Sequence, residues 1–362
     1  MDPGFPRRIT IVGLGLMGGS LALATRHALP RVEVAGVDFP GVLELARGKG
    51  AIDRGFPPEQ IPRAVRDADI VFLATPIRTI IELIPRVARH MRTGAVLTDL
   101  GSTKAEICRA ARGHVPPGIR FVGGHPLTGA EGKGFKAADP FLFQNALYVL
   151  TPLPEGREAV PALRRFLGAL GAIAVEMDPE AHDEVAAYVS HLPQLIAVAL
   201  VNLVGRREGF LEFAAGGFRD LTRIASSPYG IWGDILGTNA DRVRAALEGF
   251  IAELSRLKEG LGRGLEEEFA RANRLRAAIP RRAKGFLGEL PRIRVRLPDR
   301  PGALAAVAGA MGGAGINIKD VELLRVREDI GGTFQFYLAT REDAERAAEL
   351  LSGLGYEAEV VD

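Results

Sequence analysis

Short runs of β-branched and apolar residues alternate with helix-period segments over residues 8–178. The runs are "RITIVG", "VEVAGVD", "DIVFLATP", "AVLTDLGS", "RFVGGHP", "ALYVLTP" and "AIAVEM", with stretches such as "IRTIIELIPRVARHM" between them. This alternation predicts a mainly parallel sheet covered on both faces, with ligands at the carboxyl ends of its strands. From residue 179 the texture becomes purely helical. Val243, Leu247, Phe250, Leu254, Leu257 and Leu261 step by 4, 3, 4, 3 and 4 and form a continuous apolar stripe. By pattern alone the stripe suits an intrachain core helix or a dimer seam equally. A helical region hung on a nucleotide domain needs a cover, which favours the dimer. "IPRRAKGFLGELP" (279–291) reads as a linker whose basic cluster is solvated. Residues 292–362 follow a β-α-β-β-α-β rhythm, the order of a ferredoxin-like α+β domain.

Composition narrows the function classes. Apolar residues make up 47% and charged residues 25% of 362, an ordinary globular balance. A net charge of +2 gives no overall field for nucleic acid. Cys108 is the single cysteine, so an internal disulfide and a cysteine-based zinc site are excluded. The start, "MDPGFPRRIT", lacks the apolar core of a signal peptide. "LPQLIAVALVNLV" (192–204) is too short to span a bilayer and carries Pro193, Gln194 and Asn202. A cytoplasmic protein without membrane insertion is the expectation.

The stretch "IVGLGLMGGSLA" (11–22) holds Gly13, Leu14, Gly15, Leu16, Met17 and Gly18 between a strand and a helix. In a Rossmann-type turn the first glycine permits the tight bend. The second lets backbone approach a pyrophosphate, and the third lets the helix pack on the sheet. The helix amino terminus offers N–H groups and positive dipole to the phosphates. Asp38 closes the next strand, where a carboxylate accepts from a ribose 2′-hydroxyl and repels a 2′-phosphate, so NAD is expected over NADP. Arg47 and Lys49 lie too far along the following helix to reverse that preference. Thr75 and Pro76, after the third strand, complete the expected cofactor site.

Further polar clusters sit where strands should end. "TDLGSTK" (98–104) supplies Ser102, Thr103 and Lys104, and "GGHPLTGAEGKG" (123–134) puts His125 at the rim. His27, His90, His114 and His182 lie in polar or helical contexts that point to nothing. "SHLPQ" gives His191, and residues 214–235 carry Gly216, Arg219, Asp220, Thr222, Arg223 and the only tryptophan, Trp232. The planar fork of an arginine suits a substrate carboxylate. Arg219 and Asp220 read equally well as a surface ion pair.

"GLGLMGGSLA", "ATP", "TDLGSTK", "GGHPLTGAE", "SHLPQ" and "GGFRDLTRIASS…W", in that order, resemble the prephenate dehydrogenase family of tyrosine biosynthesis. The resemblance spans nearly the whole chain. It implies an NAD-binding domain (1–178), an all-α substrate and dimerisation domain (179–288) and a third domain (289–362). In that third part "LPDRPGALAAV" and "GINI" resemble an ACT domain. By the same resemblance His125 engages the ring hydroxyl of prephenate, and Ser102 orients it. His191 and Arg223 hold substrate carboxylates with Gly216 contributing backbone, while Glu131, Asp220 and Trp232 shape or gate the pocket. One departure stands out. Many relatives carry a second histidine, "HLPH", where this chain has Gln194, which leaves prephenate and arogenate both open as substrates.

ACT domains hold amino-acid effectors where two places face each other across an interface. Here those places are Asp299, Arg300, Pro301 and Gly302, and Asn317 with Ile318. Tyrosine is the expected effector, and a purely dimerising ACT domain the alternative. Two rivals remain at this level: an NAD-dependent 3-hydroxyacid dehydrogenase and a non-catalytic NAD and amino-acid sensor. The former needs an interdomain lysine, and none occurs between Lys136 and Lys258. No metal is expected, since aromatisation drives the reaction.

Overall fold

Alternation within single strands places the core. In the computed structural model, which describes residues 5–129, 132–279, 290–327 and 331–361, Ile9 and Ile11 point to one face of a sheet. Val12 and its neighbours Val71 and Leu73 point to the other. Both faces are buried, which is why these strands read as continuous apolar runs.

The sheet has eight strands: β1 (Arg8–Val12), β2 (Glu33–Val37), β3 (Arg54–Phe56), β4 (Ile70–Leu73), β5 (Val96–Asp99), β6 (Arg120–Pro126), β7 (Leu147–Pro152) and β8 (Ile173–Glu176). Their order is β3-β2-β1-β4-β5-β6-β7-β8. Two features depart from the sequence reading. The edge strand β3 spans three residues, too few for a pattern to show. β7 runs antiparallel to β6, and β8 follows β7 in parallel. A parallel return needs a crossover helix. Between β6 and β7 the described residues form only the short turn Phe135–Ala137, so the chain comes back antiparallel. The strand order reverses between β1 and β4, which opens a ligand crevice at their carboxyl ends.

Asp178 starts the helical region by accepting from the N–H groups of Glu180 (2.9 Å) and Ala181 (3.2 Å), with Pro179 at the first helical position. The helix Pro179–Ala186 passes through a π turn, Ala187–His191, into Leu192–Gly205. The joined run of 27 residues is longer than the apolar stretch suggested and, by length and composition, could cross a membrane. Along helix Ala240–Gly260 and its C-cap residue Leu261 the predicted stripe divides. Val243, Leu247 and Phe250 pack on Ala187 and Leu192, whereas Leu254, Leu257 and Leu261 stay exposed at 49%, 37% and 68%.

The chain separates into two compact units, Met1–Arg271 and Ala272–Asp362. The second contains β9 (Arg292–Leu297), β10 (Ile318–Arg327), β11 (Gly331–Leu338) and β12 (Glu357–Val361) in one sheet of order β10-β11-β9-β12. All its pairings are antiparallel. Helices Ala303–Gly313 and Arg341–Gly353 bury Val307, Met311, Ala347 and Leu351 against Ile293, Val295 and Phe336. This is the ferredoxin-like arrangement expected.

Candidate active site

The glycine loop leaves β1 at the strand-order reversal. Gly13 has φ +94, and a Cβ there would meet the Ala74 carbonyl oxygen at 2.7 Å. A Cβ on Gly18 would fall 1.9 Å from the Gly13 oxygen, whereas one on Gly15 would meet nothing within 4 Å. Gly15 therefore faces open space at the start of helix Leu16–Ala28, whose first turn has no side-chain cap. Leu14 N donates to Asp38 Oδ2 (2.6 Å) and Phe39 N to Asp38 Oδ1 (2.7 Å). Each oxygen keeps a further lone pair for a ribose hydroxyl. Thr75 Oγ1 is buried beside the loop with no hydrogen-bond partner, a polar atom left for a ligand. Arg47 donates to the Gly55 carbonyl (3.2 Å) instead of turning toward a 2′-phosphate. These residues fit an NAD molecule. Leu14 is fully buried and Met17 packs on the core, so their side chains shape the loop. Leu16 opens the helix, and Pro76 is the N-cap of the next one, Ile77–Ala88.

His125 stands near the end of β6, half-buried. β6 comes close to β5 because Gly124 has no side chain: a Cβ would lie 2.5 Å from the Asp99 oxygen. His125 Nδ1 is 2.8 Å from His182 Nε2. His182 Nδ1 is 2.8 Å from Asp183 Oδ1. Asp183 also accepts from the N–H groups of Lys104 (2.7 Å) and Ala105 (2.9 Å), which pins the helical region to the β5 rim. Asn239 Nδ2 donates to the Asp183 carbonyl at 2.7 Å and lies 3.3 Å from His191 Nδ1. Because Nδ2 only donates, His191 Nδ1 accepts and its Nε2 carries the proton. Trp232 meets His191 edge-on at 6.0 Å. Under this cluster lies the fully buried Lys104–Asp99 ion pair, with Lys104 Nζ also donating to the Gly124 carbonyl (2.7 Å).

Electrostatics keep both rings neutral. Burial, aided by His182, Lys104 and His191, pushes His125 well below the usual histidine value of 6.5. Burial likewise lowers His191 to about 4, against the opposing pull of Asp183. His191 thus offers a carboxylate a neutral N–H and no charge. Burial works to raise Asp183, but hydrogen bonds from His182 and the two N–H groups outweigh it and hold the group below the carboxylate range. Cys108 is pushed up to about 12 by burial and is no nucleophile at neutral pH. Among the described residues no three metal-ligating side chains converge.

Several expected residues meet here and others do not. His125, His191 and Trp232 come together, and Ser102 lies in the β5 loop beside Lys104. Gly216, Asp220 and Arg223 lie on the exposed segment Gly216–Ser226. Glu131 falls outside the described residues. His182, taken from sequence to mean nothing, is 2% exposed and bonded to His125, and Asp183 and Asn239 escaped notice too. A signal did exist. Pro179, His182, Asp183 and Ala186 form the buried face of their helix at i, i+3, i+4 and i+7. A histidine and an aspartate at core positions of a helix call for partners.

Comparisons with known proteins agree in all parts of the chain. The family models for the prephenate dehydrogenase nucleotide-binding domain, its dimerization domain and the ACT domain match residues 21–176, 178–274 and 292–355. Prephenate dehydrogenase of Bacillus subtilis (strain 168) is 33% identical over 354 residues, covering 95% of each chain. Cyclohexadienyl dehydrogenase of Zymomonas mobilis is 33% identical over 75% of this chain and 96% of its own. Among solved structures, prephenate dehydrogenase from Aquifex aeolicus in complex with hydroxyphenyl propionate and NAD+ superposes with a TM-score of 0.68. It is 31% identical, covering 75% of this chain and 96% of that one.

Proposed function

Since the chain belongs to the prephenate dehydrogenase family, we propose that it carries out the NAD-dependent oxidative decarboxylation of prephenate to 4-hydroxyphenylpyruvate. The observation that carries the mechanism is a neutral, hydrogen-bonded His125 at the same sheet rim as the glycine loop. NAD+ held on that loop supplies the hydride acceptor. His125 takes the ring-hydroxyl proton at Nε2, its Nδ1 being engaged by His182. The hydroxyl carbon gives up hydride, the ring carboxylate leaves as CO2, and the ring aromatises. Ser102 orients the hydroxyl. His191 donates its neutral N–H to a carboxylate, and Arg223 supplies the cation for the dianionic substrate, with Gly216 adding backbone. Trp232 and Asp220 border or gate the pocket.

The test is NADH formation with prephenate and with arogenate, followed across pH. Prephenate is expected to support turnover, with kcat/KM flat through pH 6.5 and falling only well below it. The sign follows from the depressed value: His125 stays an unprotonated base until pH drops through its lowered pKa. Turnover of arogenate alone would move the substrate to that alternative, in keeping with the Gln194 departure. No turnover of either would favour a sensing role.

The tail is read as a tyrosine-responsive regulator of a homodimer. Asp299–Gly302 follow the carboxyl end of β9, whereas Asn317 and Ile318 open β10. β9 and β10 both pair antiparallel to β11, so they run in the same direction. The two places therefore lie at opposite ends of one sheet, and an effector touching both requires two copies. The exposed Leu254, Leu257 and Leu261 give two copies an apolar seam. Tyrosine binding by calorimetry to a protein that sediments as a dimer is expected; a non-binding monomer would remove this reading.

A further inference from the structure

The protons around His125 follow one by one from the group with no choice. The Asp183 carboxylate only accepts, and the N–H groups of Lys104 and Ala105 already donate to it. In the 2.8 Å contact with His182 the proton therefore sits on His182 Nδ1. In the tautomer with that proton on Nδ1, His182 presents a lone pair at Nε2. The 2.8 Å contact between the rings places the next proton on His125 Nδ1. What remains is a bare lone pair at His125 Nε2, the nitrogen left for a substrate. His125 is held by β6 and His182 and Asp183 by the capped helix Pro179–Ala186, which the N–H groups of Lys104 and Ala105 anchor through Asp183.

We propose that Asp183, acting through His182, is the positioning residue that fixes His125 as the Nδ1–H tautomer and faces the positive charge the two rings acquire during the reaction. The proposal rests on the reading of His125 as the base. The proton balance is simple. The substrate O–H bond breaks and an N–H bond forms at His125 Nε2. The Nδ1 proton of His125 then passes to His182 Nε2, while His182 keeps its Nδ1–H on Asp183. One proton enters, and the charge rests on the ring that touches a carboxylate. Burial and Lys104, committed to Asp99, both disfavour a cation at His125, and the uncharged His191 also faces the pair. Asp183 is the anion hydrogen-bonded to the pair and offsets them.

Two variants and one spectrum test this. Asp183→Asn presents an NH2 in place of one acceptor oxygen, which sets a donor against both His182 and Lys104 N at Oδ1 or against Ala105 N at Oδ2. It is expected to lower kcat about 10²-fold, leave the KM for NAD within about twofold and move the acid limb of kcat. His182→Gln keeps Asp183 on the helix start and lets an amide oxygen accept from His125, so a smaller loss of about tenfold is expected. Should Asp183→Asn fail to fold, His182→Gln and the wild-type spectrum decide the matter. In ¹⁵N-histidine-labelled protein, His125 and His182 should both resonate as Nδ1–H tautomers at neutral pH. A His125 protonated on Nε2, or both variants with unchanged kcat and pH profile, would overturn the proposal. The spectrum is read without substrate, so its failure is separable from failure of the catalytic reading, which shows as a wild-type protein that turns over neither substrate.

Discussion

Replacing His125 by asparagine is expected to lower kcat by about 10²–10⁴-fold while leaving NAD binding intact, the usual contribution of one positioned base. Asparagine is close in size and offers His182 an N–H where the imidazole does, so the 2.8 Å link need not be lost. It has no basic nitrogen to take a hydroxyl proton. The cofactor site is built at the ends of β1, β2 and β4, from Gly13, Gly18, Asp38 and Thr75, and nothing in it depends on the imidazole. Steady-state kinetics with fluorescence titration of NADH check both halves. Turnover near the wild-type rate would mean that the base lies elsewhere.

Lys104→Met is expected to cost about 3–5 kcal/mol of stability, because it leaves a buried carboxylate without its counter-charge. Asp99 and Lys104 are both fully buried. Asp99 also accepts from Gly101 N (2.8 Å) and Gly124 N (3.1 Å), two bonds that orient it without neutralising it. At about 2–4 °C per kcal/mol for a unit of this size, a fall in Tm of roughly 10 °C follows. The double variant Lys104→Met/Asp99→Asn removes the orphaned charge and should recover much of the loss. Thermal unfolding of the three proteins measures it. A single variant melting within a degree or two of the wild type would show that the pair is not needed to hold β5 against β6.

Much of this protein is legible before folding. The strands β1, β2 and β4 to β8, the glycine loop with Asp38, and the β-α-β-β-α-β tail all follow from short-range spacing. Alternation, helical period and turn glycines act over a few residues, and the loop-to-acid distance is a single β-α-β step. β3 escaped because three residues carry no period. The reversal of β7 escaped because direction depends on what fills the connection, and pattern alone does not say that a helix is missing there. The apolar stripe of residues 243–261 was legible as a stripe, but not that its first half packs in a core with Ala187 and Leu192 while Leu254, Leu257 and Leu261 stay exposed.

The sequence by itself determined the element types, the cofactor loop and the presence of a histidine at the strand rim, because each is a local property of consecutive residues. Only the tertiary structure decided which partners that histidine has. His125 meets His182 across 57 residues, and Asp183 meets Lys104 across 79. Those contacts exist because a capped helix from the second region docks on the amino end of the helix that follows β5. Burial there lowers His125 and His191 toward the uncharged form, a condition no spacing along the chain encodes.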